Sequence, residues 1–168
     1  MSINRIILHD YPYFLTTRTQ SGLDVFKNKE CCRLLIKDIA YYRKELEFLI
    51  YAYVIMPNHF HWIIHPSDKA NISFIMNKVK GHSSFVINKY LDRKGKLWQA
   101  RFHDHVIRNG PDLREKINYI HKNPVTADLV EVPEDYKYSS CRNYYLHDDS
   151  ILVIDVPDLS PRGYKDLI

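Results

Sequence analysis

The sequence predicts an α+β protein of ferredoxin-like topology, and two observations lead to this prediction. Segments with strand character and segments with helical periodicity alternate in the order β-α-β-β-α-β-α. Only Pro57 and Asn58 separate the second and third strand segments, which predicts a tight hairpin. This order is that of a split βαβ fold, with four strands in one antiparallel sheet and helices on one face. One further helix is added after the fourth strand.

Residue type and spacing define each element in turn. The strand segments are rich in aromatic and β-branched residues, whereas the helical segments carry apolar residues three or four positions apart. Gly81 is expected to weaken or kink the second helix. The third helix is expected to end at Pro124, because proline disfavours helical geometry in the residue before it. The predicted strands are residues 11–19, 48–56, 59–65 and 97–108, and the predicted helices are residues 29–46, 70–91 and 112–123.

Length and composition indicate one soluble domain. The chain has 168 residues, of which 45% are hydrophobic and 26% charged, an ordinary globular composition. No apolar run approaches the ~20 residues of a membrane helix, and the N-terminus lacks the apolar core of a signal peptide. We therefore expect a cytoplasmic protein that makes no contact with membranes and whose three cysteines are free thiols.

Charge is distributed unevenly along the chain. Residues 148–168 contain five aspartates against Arg162 and Lys165, and we expect them to form a loosely structured acidic tail. Residues 1–147 are then the single domain. Residues 78–101 instead concentrate cations, which is typical either of a polyanion-binding surface or of a solvated helix face. These cations are Lys78, Lys80, Lys89, Arg93, Lys94, Lys96 and Arg101.

The third predicted strand contains the pair His59 and His61. Side chains two residues apart in a strand project from the same face, while Phe60 between them faces the core. Two neutral imidazoles at this spacing suit one divalent ion, and surface histidines on a half-exposed strand are the alternative. His65 shares this face by parity and receives no role.

A second pair, His103 and His105, has the same spacing in the fourth predicted strand. Its middle residue, Asp104, is charged and would have to face the core. The pair His59 and His61 is therefore the preferred metal site.

The last predicted helix carries an apolar stripe formed by Leu113, Ile117 and Ile120, which would dock it on the sheet. Tyr119 and Asn123 are four residues apart and lie together on the flank of that stripe. Tyr119 is one of thirteen tyrosines, so a packing role is the alternative to a chemical one.

These residue types together suit phosphodiester chemistry. A phosphodiester is an anion, so attack on it is helped by a divalent ion that polarises the phosphoryl oxygen. A tyrosine phenolate is a covalent nucleophile, although its phenol needs positioning or activation because its pKa is about 10. Amide oxygen and imidazole ligands together favour Mg²⁺ or Mn²⁺.

Three blocks of the sequence resemble one known family, the REP-associated tyrosine transposases, which are single-tyrosine HUH transposases. The blocks are "VIMPNHFHWIIH", "LWQARFHDHVIR" and "YIHKNPVTADLVEVPEDYKYSS", and the likeness spans roughly residues 5–145. The resemblance implies a ferredoxin-like catalytic domain in which His59, His61 and Asn123 bind Mg²⁺ or Mn²⁺. It also implies that Tyr119, on the added C-terminal helix, is the nucleophile.

The resemblance further implies a reaction and a substrate. Such enzymes cut single-stranded DNA near hairpins or palindromic repeats, leave a 5′-phosphotyrosine link and a free 3′-hydroxyl, and then rejoin ends. The basic residues of segment 78–101 would follow backbone phosphates, with Trp98 either stacking on an unpaired base or lying in the core. The family includes monomers and homodimers, and both remain open for this chain.

Two other functions are compatible with the predicted fold. Ferredoxin-like domains also bind single-stranded nucleic acid without catalysis, through aromatic residues on the sheet. A replication or relaxase-type HUH nuclease shares the chemistry and differs in substrate. The histidine pair together with Tyr119 argues against a pure binding module, and the short chain with a late tyrosine argues against the relaxase type.

Overall fold

The computed structural model describes residues 10–159 and contains one four-stranded antiparallel sheet. The strands lie in the order β2-β3-β1-β4, which is the ferredoxin-like arrangement. This confirms the predicted α+β fold. The strands are β1 (Tyr13–Arg18), β2 (Leu49–Met56), β3 (His59–His65) and β4 (His103–Val106), and the helices are α1 (Lys29–Leu46), α2 (Ile72–Tyr90), α3 (Gly110–Thr126) and α4 (Cys141–Leu146).

The helices α1 and α2 cover one face of the sheet and form the larger core with it. Phe60, Trp62 and Ile64 project from β3 into this core and are fully buried. Leu35 and Ile39 reach it from α1. Each such side chain contributes about 1.5–3 kcal/mol of burial free energy, so this core holds α1 and α2 in place.

The helix α3 packs on the opposite face of the sheet. Its stripe of Leu113, Ile117 and Ile120 is buried there, in one cluster with Val54 of β2 and Ile63 of β3. Strand β2 can serve both faces because almost every one of its side chains is buried. The predicted docking of the last helix is therefore confirmed, and it covers the face that the histidine pair shares.

Helix α2 runs through Gly81 without interruption, and the expected weakening at Gly81 stays a prediction. The expectation that the third helix ends at Pro124 is wrong. Helix α3 continues beyond Asn123 and contains Pro124. The ring of Pro124 is buried, four residues after Ile120, so its packing prolongs the apolar stripe and offsets the missing N–H. The next turn is also closed, because Ala127 N–H donates to the carbonyl of Asn123.

Strand β4 is shorter than predicted, since only its last part pairs with β1. Before it, Trp98 makes a single bridge to Thr19, and the Nζ of Lys80 binds the carbonyls of Gln99 and Ala100. Residues 97–99 thus keep isolated backbone bonds to the end of β1, but they do not form a continuous ladder with it.

Residues 148–159 lack helix and strand, yet they are packed against the domain rather than loose. Leu152 and Ile154 are buried in the larger core. The carboxylate of Asp155 lies 2.7 Å from a guanidinium nitrogen of Arg43 and accepts a hydrogen bond of 2.9 Å from Ile50 N–H at the edge of the sheet. Within residues 148–168 the expectation of a loose tail is therefore wrong for the part up to residue 159, and the remainder lies outside the described residues.

Between residues 10 and 159, no helix is both long and apolar enough to cross a membrane. The division into residues 1–147 and 148–168 and the cytoplasmic location stay predictions.

Replacing Asp155 with alanine is expected to lower the free energy of unfolding by about 1–3 kcal/mol, because Arg43 and the N–H of Ile50 lose a charged partner. Urea unfolding monitored by circular dichroism measures the change. Asp68→Ala, at an exposed position, is the matched control and should alter stability by less than about 0.5 kcal/mol. Equal stability of the two variants would show that residues 148–159 do not brace the sheet edge.

Candidate active site

His61 lies at the centre of the site and is only 3% exposed. It pairs with Thr16 of the neighbouring strand β1, and its Nδ1 is 2.7 Å from the Oγ1 of Thr16. Its Nε2 is buried and has no hydrogen-bond partner. A proton on Nδ1 donated to Thr16 leaves Nε2 with a free lone pair, whereas a proton on Nε2 would be an unsatisfied buried donor. The first tautomer is the one that can bind a metal.

His59 is also held in the tautomer that can bind a metal. Its Nδ1 lies 2.7 Å from the Oδ1 of Asn58, and because a carbonyl oxygen only accepts, this Nδ1 carries the proton. The rings of His59 and His61 have centroids 4.8 Å apart and meet nearly at right angles. The side chain of Asn123 hydrogen-bonds the His59 ring, so α3 delivers an amide to the pair.

Burial keeps both imidazoles neutral. The pKa of His59 is lowered to about 4, chiefly by burial and also by the nearby charge of Arg18, while the hydrogen bond to Asn123 raises it. Burial likewise lowers the pKa of His61 to about 3, with smaller contributions from His59 and Arg18. At neutral pH both rings are therefore in the form that binds divalent cations.

Helix α3 places Tyr119 beside the pair. Its ring centroid is 5.3 Å from that of His61 and 5.7 Å from that of Phe14, edge-on in both cases. The side chain is 49% exposed, so a substrate molecule can reach it from the solvent. The start of the helix is fixed by Asn109, whose side chain caps it by accepting from the N–H of Asp112.

The donor set fits a divalent ion. Two neutral imidazoles and one amide converge, and His61 Nε2 is an orphaned buried atom whose desolvation costs about 1–3 kcal/mol without a ligand. No group of three His, Cys, Asp or Glu residues suited to a metal occurs among residues 10–159. Here the pair His59 and His61 is joined by Asn123, whose amide oxygen is a hard ligand suited to Mg²⁺ or Mn²⁺.

The other histidines have different surroundings. His105 is exposed, and its Nε2 lies 2.8 Å from the carboxylate of Asp112, which ties β4 to the first turn of α3. His103 is exposed and belongs to β4, where it pairs with Thr16 of β1, whereas His61 pairs with Thr16 from β3 on the other side of β1. His65 places its Nδ1 3.0 Å from the hydroxyl of Tyr51, near the opposite end of β3.

Trp98 is a core residue, so of the two roles left open for it, packing in the core is confirmed and stacking on an unpaired base is wrong. The side chain is only 4% exposed and its ring stacks on Phe26 at a centroid distance of 5.3 Å. Its indole N–H donates to the hydroxyl of Ser83 at 3.0 Å. Phe60 also contacts the ring, at a steep angle and a centroid distance of 5.7 Å, so the indole and its N–H are packed within the protein.

The predicted basic residues divide into two groups. Lys80 and Arg93 are bound to the protein: Lys80 to backbone carbonyls, and Arg93 to the side chain of Asn88 and the carbonyl of Lys96. The others are exposed, and a contact with phosphates stays a prediction for them. They are Lys78, Lys89, Lys94, Lys96 and Arg101.

A family model described as "Transposase IS200 like" matches residues 8–123, which include His59, His61, Tyr119 and Asn123. The chain belongs to the IS200-like transposase family. It is 33% identical over 99 residues to a Haemophilus influenzae protein provisionally named a REP-associated tyrosine transposase, covering 53% of this chain and 56% of that protein. It is 30% identical over 103 residues to the REP-associated tyrosine transposase of Escherichia coli, covering 58% and 57%. The matches thus span little more than half of these relatives.

Two solved structures share the fold of this family member. One is of a REP-associated tyrosine transposase bound to a REP hairpin, with a TM-score of 0.72, 24% identity and 95% coverage of both chains. The other is a provisionally named transposase from Deinococcus radiodurans, with a TM-score of 0.51, 17% identity and coverage of 71% of this chain and 95% of that one.

Three residues of the site in this transposase-family chain escaped prediction from sequence: Thr16, Asn58 and Arg18. Thr16 and Asn58 hold the two histidine Nδ1 atoms, and Arg18 lies opposite His59 in the strand register. For Asn58 the sequence offered a usable signal, because it is a polar residue of the hairpin turn directly before His59. Thr16 and Arg18 have none, because their role depends on which residue of β3 they face.

Trp98→Ala is expected to lower the free energy of unfolding by about 3–5 kcal/mol, because it opens a cavity beside Phe26. Urea unfolding measures this loss. Arg101→Ala, at an exposed position on the same segment, should change stability by less than about 0.5 kcal/mol. A tryptophan that served only to stack on DNA would give the same small change.

Proposed function

We propose that this chain cuts and rejoins single-stranded DNA as a metal-dependent transposase, through a 5′-phosphotyrosine intermediate. The observation that carries the proposal is the position of Tyr119, whose ring centroid lies 5.3 Å from that of His61. A half-exposed tyrosine beside two neutral imidazoles and an amide combines a nucleophile with a metal site. Membership in the IS200-like transposase family supports the same reaction class.

His59, His61 and Asn123 would hold Mg²⁺ or Mn²⁺, the two rings through Nε2 and the amide through its oxygen. When bound, such an ion polarises the phosphoryl oxygen and offsets the charge that develops on it. Thr16 and Asn58 orient the rings by accepting their Nδ1 protons, as carbonyls and carboxylates do in other metal sites.

Tyr119 would attack the phosphorus of the scissile phosphodiester through its phenolic oxygen. The bond from that oxygen to phosphorus forms, and the bond from phosphorus to the 3′ oxygen breaks. The phenolic proton is released and the departing 3′ oxygen takes up a proton, so the products are a tyrosine phosphodiester and a free 3′-hydroxyl. Another 3′-hydroxyl reverses the step and joins new ends, with no net hydrolysis.

The surroundings of Tyr119 suit an anionic substrate. Arg18 lies opposite His59 on β1 and is exposed, and its charge acts on both imidazoles. A guanidinium there would attract the phosphate that enters the site. Tyr119 and His61 belong to the same chain, which supports catalysis with the chain's own tyrosine, in a monomer or within each protomer of a homodimer.

DNA hairpins or palindromic repeats are the proposed substrate. One similar structure is of a transposase bound to a REP hairpin, and this chain shares its fold over 95% of its length. The exposed cations Lys78, Lys89, Lys94, Lys96 and Arg101 would contact the backbone of such DNA.

Tyr119→Phe is expected to abolish covalent attachment to a single-stranded hairpin oligonucleotide, while binding of that oligonucleotide survives. The variant loses only the phenolic oxygen, so the packing against His61 and Phe14 persists. A denaturing gel of protein mixed with end-labelled DNA and Mn²⁺ measures the adduct. Tyr145→Phe, at another exposed tyrosine, is the matched control and should retain the adduct. An undiminished adduct in Tyr119→Phe rules out this nucleophile.

His59→Ala and His61→Ala are each expected to remove measurable Mn²⁺ binding in calorimetric titrations, since each deletes a ligand. His103→Ala and His105→Ala should leave it unchanged. Thr16→Val should weaken it by roughly 10–100-fold, because the His61 ring loses the partner that orients it. If His103→Ala and His105→Ala removed Mn²⁺ binding while His59→Ala and His61→Ala did not, the metal site would lie on β4.

A further inference from the structure

A cavity of about 460 Å³ lies between α2 and residues 96–102. This size falls within the range of about 300–1,000 Å³ that is usual for small-molecule sites. Its lining is largely apolar, and Phe102 and Ala100 are at least partly exposed in it, whereas the lining residues Met76 and Leu97 are almost fully buried. The amide side chains of Asn77 and Gln99 stand at its edge and are exposed. The cavity therefore combines a surface for a flat apolar ring with hydrogen-bonding groups for the edge of that ring.

The cavity is close to the candidate active site. Gln99 N–H donates to the carbonyl of Arg18 at 2.9 Å, so the cavity wall is bonded directly to the end of β1. Arg18 in turn pairs with His59 of β3. Neighbouring strands lie about 4.8 Å apart, so the backbones of Gln99 and His59 are separated by about 10 Å. The cavity lies on the α2 side of the sheet and Tyr119 on the α3 side, so a DNA strand held at Tyr119 would pass around the sheet at Arg18 and Gln99 to enter it.

The charge of the cavity suits an anionic strand. Lys96 lines it and is exposed, Lys80 lines it with its Nζ bound to the carbonyls of Gln99 and Ala100, and its described lining includes no carboxylate. A second cavity, of about 550 Å³, lies between the end of α1 and the C-terminal segment, and it carries Glu47 and Asp149 as well as cations. The cavity beside α2 is thus the better match for a nucleic-acid chain.

We propose that the cavity beside α2 receives one unpaired nucleobase of the DNA strand and so contributes to the choice of the cleavage site. The apolar walls contact the faces of the base, the amides of Asn77 and Gln99 bond its edge, and Lys96 meets its phosphate. The identity of the ligand as DNA rests on the proposed function, whereas the shape and lining of the cavity do not.

Gly81 provides a direct way to close the cavity. It lies in the wall formed by α2, and a Cβ added there would meet no atom within 4 Å. Its place inside a continuous helix means that a larger residue adds no backbone strain. Replacing glycine inside a helix even stabilises it, by about 0.5–1 kcal/mol for alanine. Gly81→Leu therefore fills the space while the fold persists, and Gly81→Ala is the size control.

The experiment measures binding of oligo-dA, oligo-dC and oligo-dT, and of an abasic strand of equal length, by fluorescence anisotropy in EDTA. The wild-type chain is expected to prefer at least one of the base-bearing strands over the abasic strand. Gly81→Leu should reduce that preference by about tenfold or more, since one base contact is worth about 1–3 kcal/mol, and Gly81→Ala should keep most of it. Asn77→Ala and Gln99→Ala should change which base is preferred.

Equal binding of all strands by wild type and Gly81→Leu overturns the nucleobase site. A loss that is the same for the abasic strand also overturns it, because the effect is then on the backbone and not on a base. Urea unfolding of each variant checks that binding is lost without loss of stability. The adduct of Tyr119 with DNA tests the proposed function separately: its presence in a Gly81→Leu chain with unchanged binding leaves that function standing while the base site falls.

Discussion

Strand β3 is the constraint on which the rest of the structure depends, because it is an inner strand whose two faces do different work. Phe60, Trp62 and Ile64 fill the core under α1 and α2. His59 and His61 point the other way, toward α3. A slip of one residue in the register would bury the imidazoles in the large core and expose the aromatic residues. The burial free energy of the aromatic face therefore also sets the position of the candidate metal ligands.

The imidazoles are held in a state that is costly for folding and useful for binding. Burial removes their charge, and Thr16 and Asn58 satisfy only one nitrogen of each ring. The second nitrogen of His61 is left without a partner inside the protein. The arrangement is typical of a site that is prepared before its ligand arrives.

Local sequence signals predicted most of the fold. The predicted bounds of α1 and β3 agree with the structure to the residue. Asn28 caps the start of α1, and the turn Pro57-Asn58 directly precedes β3. The same local reasoning failed at Pro124, where burial of the ring outweighs the missing N–H. It left the role of Trp98 undecided, since a tryptophan in a basic segment gives no sign of whether its ring faces the core or the solvent. It also failed for residues 148–159, whose aspartates read as a solvated tail although Asp155 binds Arg43 at the edge of the sheet.

The sequence alone was sufficient for the ferredoxin-like order of elements, for the shared face of His59 and His61, and for the pairing of Tyr119 with Asn123 on one side of a helix. Each of these follows from the periodicity of a strand or a helix, which is a property of neighbours along the chain. Only the folded chain brings Tyr119 to His61, Asn123 to His59, and Thr16 to Nδ1 of His61. Those contacts depend on strand register and on the docking of α3, and both are decided by side-chain packing between residues far apart in sequence.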